Sequence, residues 1–171
     1  MTTAIDTLIG DFQGFFSDLL TRMKFAGLDI TNRPISHLLY RTASIDEYET
    51  LRDKLKSYCS GFVETQHKGR AISLQILKEP LMLEDGHHVS AIELPSPKPN
   101  KPCDNGLESV GIIMGDELPE FIAQHCDALT DIKNQSQLAS ITFDNNKTVK
   151  FYMQSLEETV ISQGWVIDKP L

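Results

Sequence analysis

The sequence predicts an α+β fold of two βαβββ-like modules preceded by an extra N-terminal helix. Three observations predict it. Apolar residues recur at helical spacing through the first 26 positions. Four prolines fall within residues 95–102, splitting the chain into two similar lengths. The order of strand and helix signals before that break then starts again after it. A length of 171 residues suits one ordinary domain or two small modules sharing a core.

The first element is expected to span residues 3–26. Ile5, Leu8, Ile9, Phe12, Phe15, Phe16, Leu19, Leu20 and Met23 recur at three- and four-residue steps, and Gly27 supplies the stop. So wide and aromatic a stripe must be covered, either by the rest of the chain or by a second copy in a homodimer. After the linker 30–34, residues 36–42 read as a strand. Ser44 and Glu47 then have the spacing of a capping box and open a helix whose buried side is Tyr48, Leu51, Leu55 and Tyr58, with Ser60-Gly61 as its end. Residues 62–67 and 71–77 read as strands joined through Lys68-Gly69-Arg70, and 88–94 as another.

The proline-rich stretch can be neither helix nor central sheet, and reads as an extended connector. Beyond it, 107–114 is an expected strand, and a helix with acidic residues at its positive end runs from 115 to about 129. Residues 131–137 are polar and read as loop where the first half has a strand. Residues 138–143 and 148–153 form an expected hairpin, and Ser155 caps a last helix to about 163. The expected organisation is therefore an N-terminal helix (1–28), a first module (29–94), the connector (95–105) and a second, shortened module with a C-terminal helix (106–171).

With 24 acidic and 16 basic residues the formal charge is −8, and the pI is near 5.0. Such a surface repels nucleic-acid phosphates and anionic lipid, so neither a nucleic acid nor a membrane is an expected partner. No apolar run approaches the roughly 20 residues that cross a bilayer. Cys59, Cys103 and Cys126 are odd in number and lack metal-site spacing, which argues against a disulfide framework and for a reducing, cytoplasmic setting. Cys103 is expected to be exposed beside the connector. His87-His88, adjacent on the chain, reads as a solvated turn rather than a metal site. His125 reads as surface or packing.

Five segments carry a family resemblance: Ile35-Ser36-His37-Leu38-Leu39-Tyr40-Arg41, Lys68-Gly69-Arg70-Ala71-Ile72, Ala91-Ile92-Glu93-Leu94-Pro95-Ser96-Pro97-Lys98, Gly106-Leu107-Glu108-Ser109-Val110-Gly111-Ile112 and Lys147-Thr148-Val149-Lys150-Phe151-Tyr152. In these the chain resembles the YecM-like proteins, a branch of the vicinal oxygen chelate superfamily that includes glyoxalase I, extradiol dioxygenases and the fosfomycin and bleomycin resistance proteins. The resemblance implies two modules paired around an open cavity, with ligands on the first and last strand of each module. Carried over by position, the inward residues are His37, Glu93, Ser109 and Tyr152. The family pattern has histidine and glutamate at the first two. It usually has histidine where Ser109 stands, and often where Tyr152 stands.

Strand alternation sets His37, Leu39 and Arg41 on one face, Ser109 with Gly111, and Tyr152 with Lys150. A lone carboxylate at Glu93, within an apolar strand, needs a cation, a metal or a proton. The implied metal set is His37, Glu93 and Tyr152 around a divalent ion (Zn, Ni, Mn or Fe), with Arg41 and Ser109 as ligand-binding residues. The ion would polarise a small oxygenated metabolite, as in a metal-dependent lyase or a dioxygenase-like enzyme. Against this stands the donor chemistry, because a serine hydroxyl and a protonated phenol are poor ligands. The alternative is a metal-free protein that binds a small acidic metabolite in the same cavity.

Overall fold

The computed structural model describes residues 4–170; Thr3, the expected start of the first helix, lies outside them. The N-terminal stripe forms two helices, α1 (Asp6–Ile9) and α2 (Phe12–Phe25). Gly10, at φ 82°, breaks the expected single helix. Asp11 caps the second, its carboxylate accepting the Gly14 N–H at 2.8 Å. At the other end the Leu28 N–H reaches the Met23 carbonyl and the Gly27 N–H the Lys24 carbonyl. This paired closure needs Gly27 in the left-handed region, and its φ is 75°.

Eight strands form one continuous sheet: β1 (Ile35–Arg41), β2 (Cys59–His67), β3 (Arg70–Met82), β4 (His88–Pro95), β5 (Gly106–Ile113), β6 (Asp131–Lys133), β7 (Leu138–Thr142) and β8 (Thr148–Tyr152). Their order is β2-β3-β4-β1-β5-β8-β7-β6. Each half runs strand, helix, three strands, with α3 (Ile45–Leu55) in the first and α4 (Leu118–His125) in the second. In each half the first and last strands pair in parallel, β1 with β4 and β5 with β8. The halves meet where β1 and β5 pair antiparallel. A mixed α+β fold of two βαβββ modules is what the repeated order predicts.

Three expectations change. β6 is a strand where a loop was expected. Its three residues are all exposed and carry Asp131 and Lys133 3.1 Å apart, so no apolar alternation marks it; it is a charged edge. The helix after Ser44 stops at Leu55 and gives way to a short 3-10 turn, Lys56–Tyr58. Ser60 and Gly61 therefore lie in β2. Gly61 is needed there for packing: a Cβ on it would stand 2.7 Å from a methyl of Ile167. Lastly, two strands run into prolines: β3 passes the expected end at 77 and takes in Pro80, where the register with β4 shifts between Ile76 and Leu81, and Pro95, expected in the connector, closes β4 opposite Ile72 at the end of that strand.

One face of the sheet carries the main core. Phe16, Leu19, Met23, Leu55, Leu118 and Phe151 are buried there together, so α2, α3 and α4 all lie on this side. The aromatic stripe is thus used up within the chain. The opposite, inner face is covered by α5 (Leu156–Ser162) and the segment after it, through a small cluster of Val63, Leu74, Ala91 and Val160. A full capping box at Ser155 and Glu158 fixes the start of α5, and the Phe62 and Asp168 backbones exchange hydrogen bonds of 2.8 and 2.7 Å. Among the described residues no helix is long and apolar enough to cross a membrane.

Candidate functional site

The four central strands, β4, β1, β5 and β8, bring the four inward positions onto the inner face. Register places Leu39 of β1 between Glu93 of β4 and Ser109 of β5, and His37 opposite Gly111 of β5. Gly111 in turn pairs with Lys150, and Ile113 with Tyr152. His37 and Glu93 meet: Nε2 stands 3.1 Å from Glu93 Oε2, with the imidazole 1% exposed and the carboxylate 15%. The approach is off the line of a good hydrogen bond, so Nε2 has no aligned partner. Tyr152 joins them through its ring, 5.6 Å from that of His37 and tilted by 58°.

Two residues that sequence reasoning missed make this possible. Gly111 leaves a gap that both rings fill, since a Cβ there would lie 2.7 Å from His37 Cε1 and 3.1 Å from Tyr152 Cε2. Ser36 holds the imidazole from behind, its Oγ 2.8 Å from Nδ1 while accepting the Leu156 N–H of α5 at 2.8 Å. Neighbours on a strand ordinarily point to opposite faces. Here the β1–β5 register shifts between Ile35 and His37, and such an irregularity re-aims a side chain. The Ser36 hydroxyl thus bridges the first amide of α5 and Nδ1, which leaves Nε2 facing Glu93.

Charge at the site is asymmetric. Burial opposes ionisation of Glu93, but the His37 contact and the positive field of His37, Lys150 and Arg41 outweigh it and hold the carboxyl below its ordinary value. Tyr152 goes the other way: burial, then the Glu93 charge, pushes its hydroxyl above the ordinary phenol value and keeps it protonated. Ser109 is 1% exposed and its Oγ has no hydrogen-bond partner. Arg41 does not reach Glu93; its Nε donates to Glu108 at 2.8 Å, farther along the strand.

Glu93 lines a cavity of about 250 Å³ under α5, together with Leu74, Thr159, Val160 and Trp165. His67 lines the same cavity; the remaining histidines and the cysteines are elsewhere. His87 is buried against the Phe16 ring at 5.4 Å, which corrects its reading as a solvated turn; His88 is exposed. His125 packs on Phe121 at 4.8 Å. Cys103 is half-buried rather than exposed, and its thiol donates to the Thr42 carbonyl at 3.3 Å.

Metal-binding capacity follows from the donors present. Among the described residues no group of three or more His, Cys, Asp or Glu side chains converges. The site offers one imidazole, one carboxylate and a phenol that resists deprotonation, while a catalytic zinc site uses three protein ligands and a non-haem iron site two histidines and a carboxylate. The residues present fall short of a tight divalent site.

Comparison with known proteins bears on the fold. A structural-genomics protein designated EC4020 has the same fold, with a TM-score of 0.72 and 22% identity over 95% of this chain and 98% of that one. A candidate dioxygenase from Bacillus subtilis aligns at a TM-score of 0.43 and 7% identity, covering 72% of this chain and 41% of the other. The fosfomycin resistance protein FosX from Listeria monocytogenes, solved with Mn(II) and a dihydroxypropylphosphonic acid, aligns at 0.25 and 9% identity over 73% and 95%. None of the curated proteins compared matches the chain. The family model described as YecM protein matches residues 4–151, which takes in His37, Glu93 and Ser109 and the greater part of both modules, and the chain therefore belongs to the YecM protein family.

Proposed function

We propose that the inner face binds a small hydroxylated anion without a tightly held metal. The observation that carries this is the Glu93 carboxylate, kept ionised as the one carboxylate among the residues lining the cavity beneath α5, with His67 on the same wall and His37 sealed behind it. An ionised carboxylate only accepts hydrogen bonds, so it selects donors such as ligand hydroxyls. The protonated Tyr152 hydroxyl supplies a donor nearby, and Lys150 and Arg41 supply positive field for the ligand's anionic end. A cavity of about 250 Å³ lies at the small end of ligand sites and suits a metabolite of few atoms.

A second reading has support of its own. The unaligned His37 Nε2 and the orphaned Ser109 Oγ are what an ion would satisfy, with His37 and Glu93 holding a divalent cation and Tyr152 completing the shell for a metal-dependent enzyme of the vicinal oxygen chelate type. Trp165, the single tryptophan, lines the cavity beside Glu93 and reports on entry. In chelator-treated protein, small hydroxy acids should shift Trp165 emission, and Glu93→Gln should abolish the response. Calorimetric titration with Zn, Ni, Mn and Fe(II) should show no stoichiometric binding. Stoichiometric binding lost in His37→Ala would overturn the metal-free reading in favour of the second.

A further inference from the structure

A second polar cluster lies at the end of the central strands, beyond the pair of His37 and Glu93. Arg41 stands two residues past Leu39, which is in register with Glu93, a step of about 7 Å along the strand. It lines a pocket of about 90 Å³ with Lys98, Lys101, Cys103 and Glu108. Arg70, at the start of β3, is fastened to the same connector by its guanidinium bond to the Ser96 carbonyl at 3.2 Å.

The connector is shaped to present its two lysines. Lys98-Pro99-Asn100-Lys101 closes with the Lys101 N–H on the Lys98 carbonyl at 3.3 Å. Proline in second place and Asn100 at φ 59° is the type II turn pattern, which brings the first and last residues within about 7 Å. Two lysines thus leave the two ends of one turn and line the same pocket as Arg41. The repulsion is felt: burial, then the positive field of Arg41, Lys101 and Arg70, pulls the Lys98 ammonium below its ordinary value. Arg70 is pulled down by burial and by Arg41 in the same way. Against these four cations stands one paired carboxylate, Glu108, which occupies only the Nε edge of Arg41.

A chain of net charge −8 has no general reason to gather unpaired cations around a small pocket. Volume near 90 Å³ is room for about three waters at about 30 Å³ each, the scale of a single oxyanion group. We infer that Arg41, Lys98 and Lys101, which line the pocket, with Arg70 fastened alongside it, form a subsite for a tetrahedral oxyanion of the phosphate type, carried by the ligand whose hydroxyls meet Glu93. A carboxylate offers two oxygens in one plane and one charge. Cations arriving from β1, β3 and the connector turn instead suit a dianion with oxygens on several sides, and Arg41 retains free Nη donors for paired contacts. The link to Glu93 rests on the reading of the inner face as a binding site; the subsite itself does not.

The test is titration of the full chain, with chelator present, by inorganic phosphate and by acetate, followed by calorimetry and by the amide resonances of residues 96–108. Phosphate should bind more tightly than acetate, with an affinity that falls as salt rises. Lys98→Gln with Lys101→Gln, on an exposed turn that the fold does not need, should weaken phosphate by about tenfold, the loss expected of a charge-assisted contact. Arg41→Gln should weaken it at least as much. Glu108→Gln should tighten it severalfold by removing the competing carboxylate, a gain that a purely structural ion pair would not produce. Equal response to acetate and phosphate, or indifference to the lysine and Glu108 changes, overturns the subsite. Phosphate binding here with no Trp165 response to any hydroxy acid would retain the subsite and sink the reading of the Glu93 cavity; a Trp165 response with no phosphate binding at residues 96–108 would do the reverse.

Discussion

Gly111→Ala is the most direct perturbation of the site, because it adds one methyl group where two rings meet. The new Cβ would lie 2.7 Å from His37 Cε1, 2.9 Å from Nδ1 and 3.1 Å from Tyr152 Cε2. Carbon atoms pack best at about 3.5–4.0 Å, so the imidazole must retreat by about 0.8 Å or more. It is held at both ends, by Ser36 at 2.8 Å and Glu93 at 3.1 Å, and retreat disturbs both contacts. Overpacking of this kind costs about 1–3 kcal/mol, while alanine in place of a strand glycine returns about 0.5–1 kcal/mol. The net loss is therefore about 0–2.5 kcal/mol, read by urea denaturation, with the His37 imidazole resonances shifted. In a His37→Ala background the same change should become neutral or stabilising, since the main clash has gone. An unchanged cost in that background, or unshifted imidazole resonances in the single variant, would refute the placement of His37 against the β5 backbone.

Three further outcomes follow from the packing and the charges. Phe16→Ala, at a fully buried position facing His87, should cost about 3–5 kcal/mol, and charged substitutions at Phe12 or Phe16 should unfold the chain rather than dissociate a dimer, as circular dichroism and sedimentation will show together. Because the Glu93 carboxyl is held below its ordinary value, its contribution to stability is present above the ordinary carboxylate range and is lost as pH falls through the lowered value. His37→Ala, which leaves a buried carboxylate without its nearest partner, should cost about 3 kcal/mol at neutral pH and shrink that acid loss in denaturation measured across pH 3–7. Finally, burial pushes the Cys59 thiol up to about 11, so a thiol reagent at pH 8 should modify exposed Cys126 first and reach Cys59 only on unfolding.

The fold was legible where side-chain periodicity follows backbone geometry. Turn chemistry marked the β2–β3 hairpin, where Lys68 and Gly69 both take positive φ, and two segments of alternating residues framed it. Amphipathic spacing marked α2, although it ran straight through Gly10, where backbone freedom and the Asp11 cap overrode the apolar stripe. β6 was illegible because an edge strand with both faces in solvent has no pattern to read. At the site, His37 and Glu93 were legible as residues, but their meeting was not, since it depends on cross-strand register. Ser36 was missed for a sharper reason: strict alternation puts it on the wrong face, and only the irregularity in β1 returns it to the imidazole. The roof formed by α5 was invisible because nothing in residues 155–168 says which face of the sheet they cover.

Near two-fold correspondence of the modules explains why the site is lopsided. β1 and β5 are equivalent first strands, and β4 and β8 equivalent last strands, so His37 and Glu93 answer strand for strand to Ser109 and Tyr152, although Glu93 pairs two residues past His37 and Tyr152 four past Ser109. One half offers an imidazole and an ionised carboxylate; the other offers a neutral hydroxyl and a phenol held protonated. A symmetric pair of charged donors would need an ion to keep the carboxylates and imidazoles together in so buried a place. Here the half that lacks charge lets Gly111 admit the Tyr152 ring beside His37, and the imidazole sits between a hydroxyl on one side and a carboxylate on the other. Ser36 ties that arrangement to the first amide of α5, so anything that moves the imidazole also tugs on the helix roofing the Glu93 cavity. Loss of the Ser36 hydroxyl should then loosen the cap and the site together: Ser36→Ala is expected to raise amide exchange at Leu156 and to shift the His37 resonances in the same variant. Exchange at Leu156 unchanged while His37 moves would show that roof and site are not coupled through this serine.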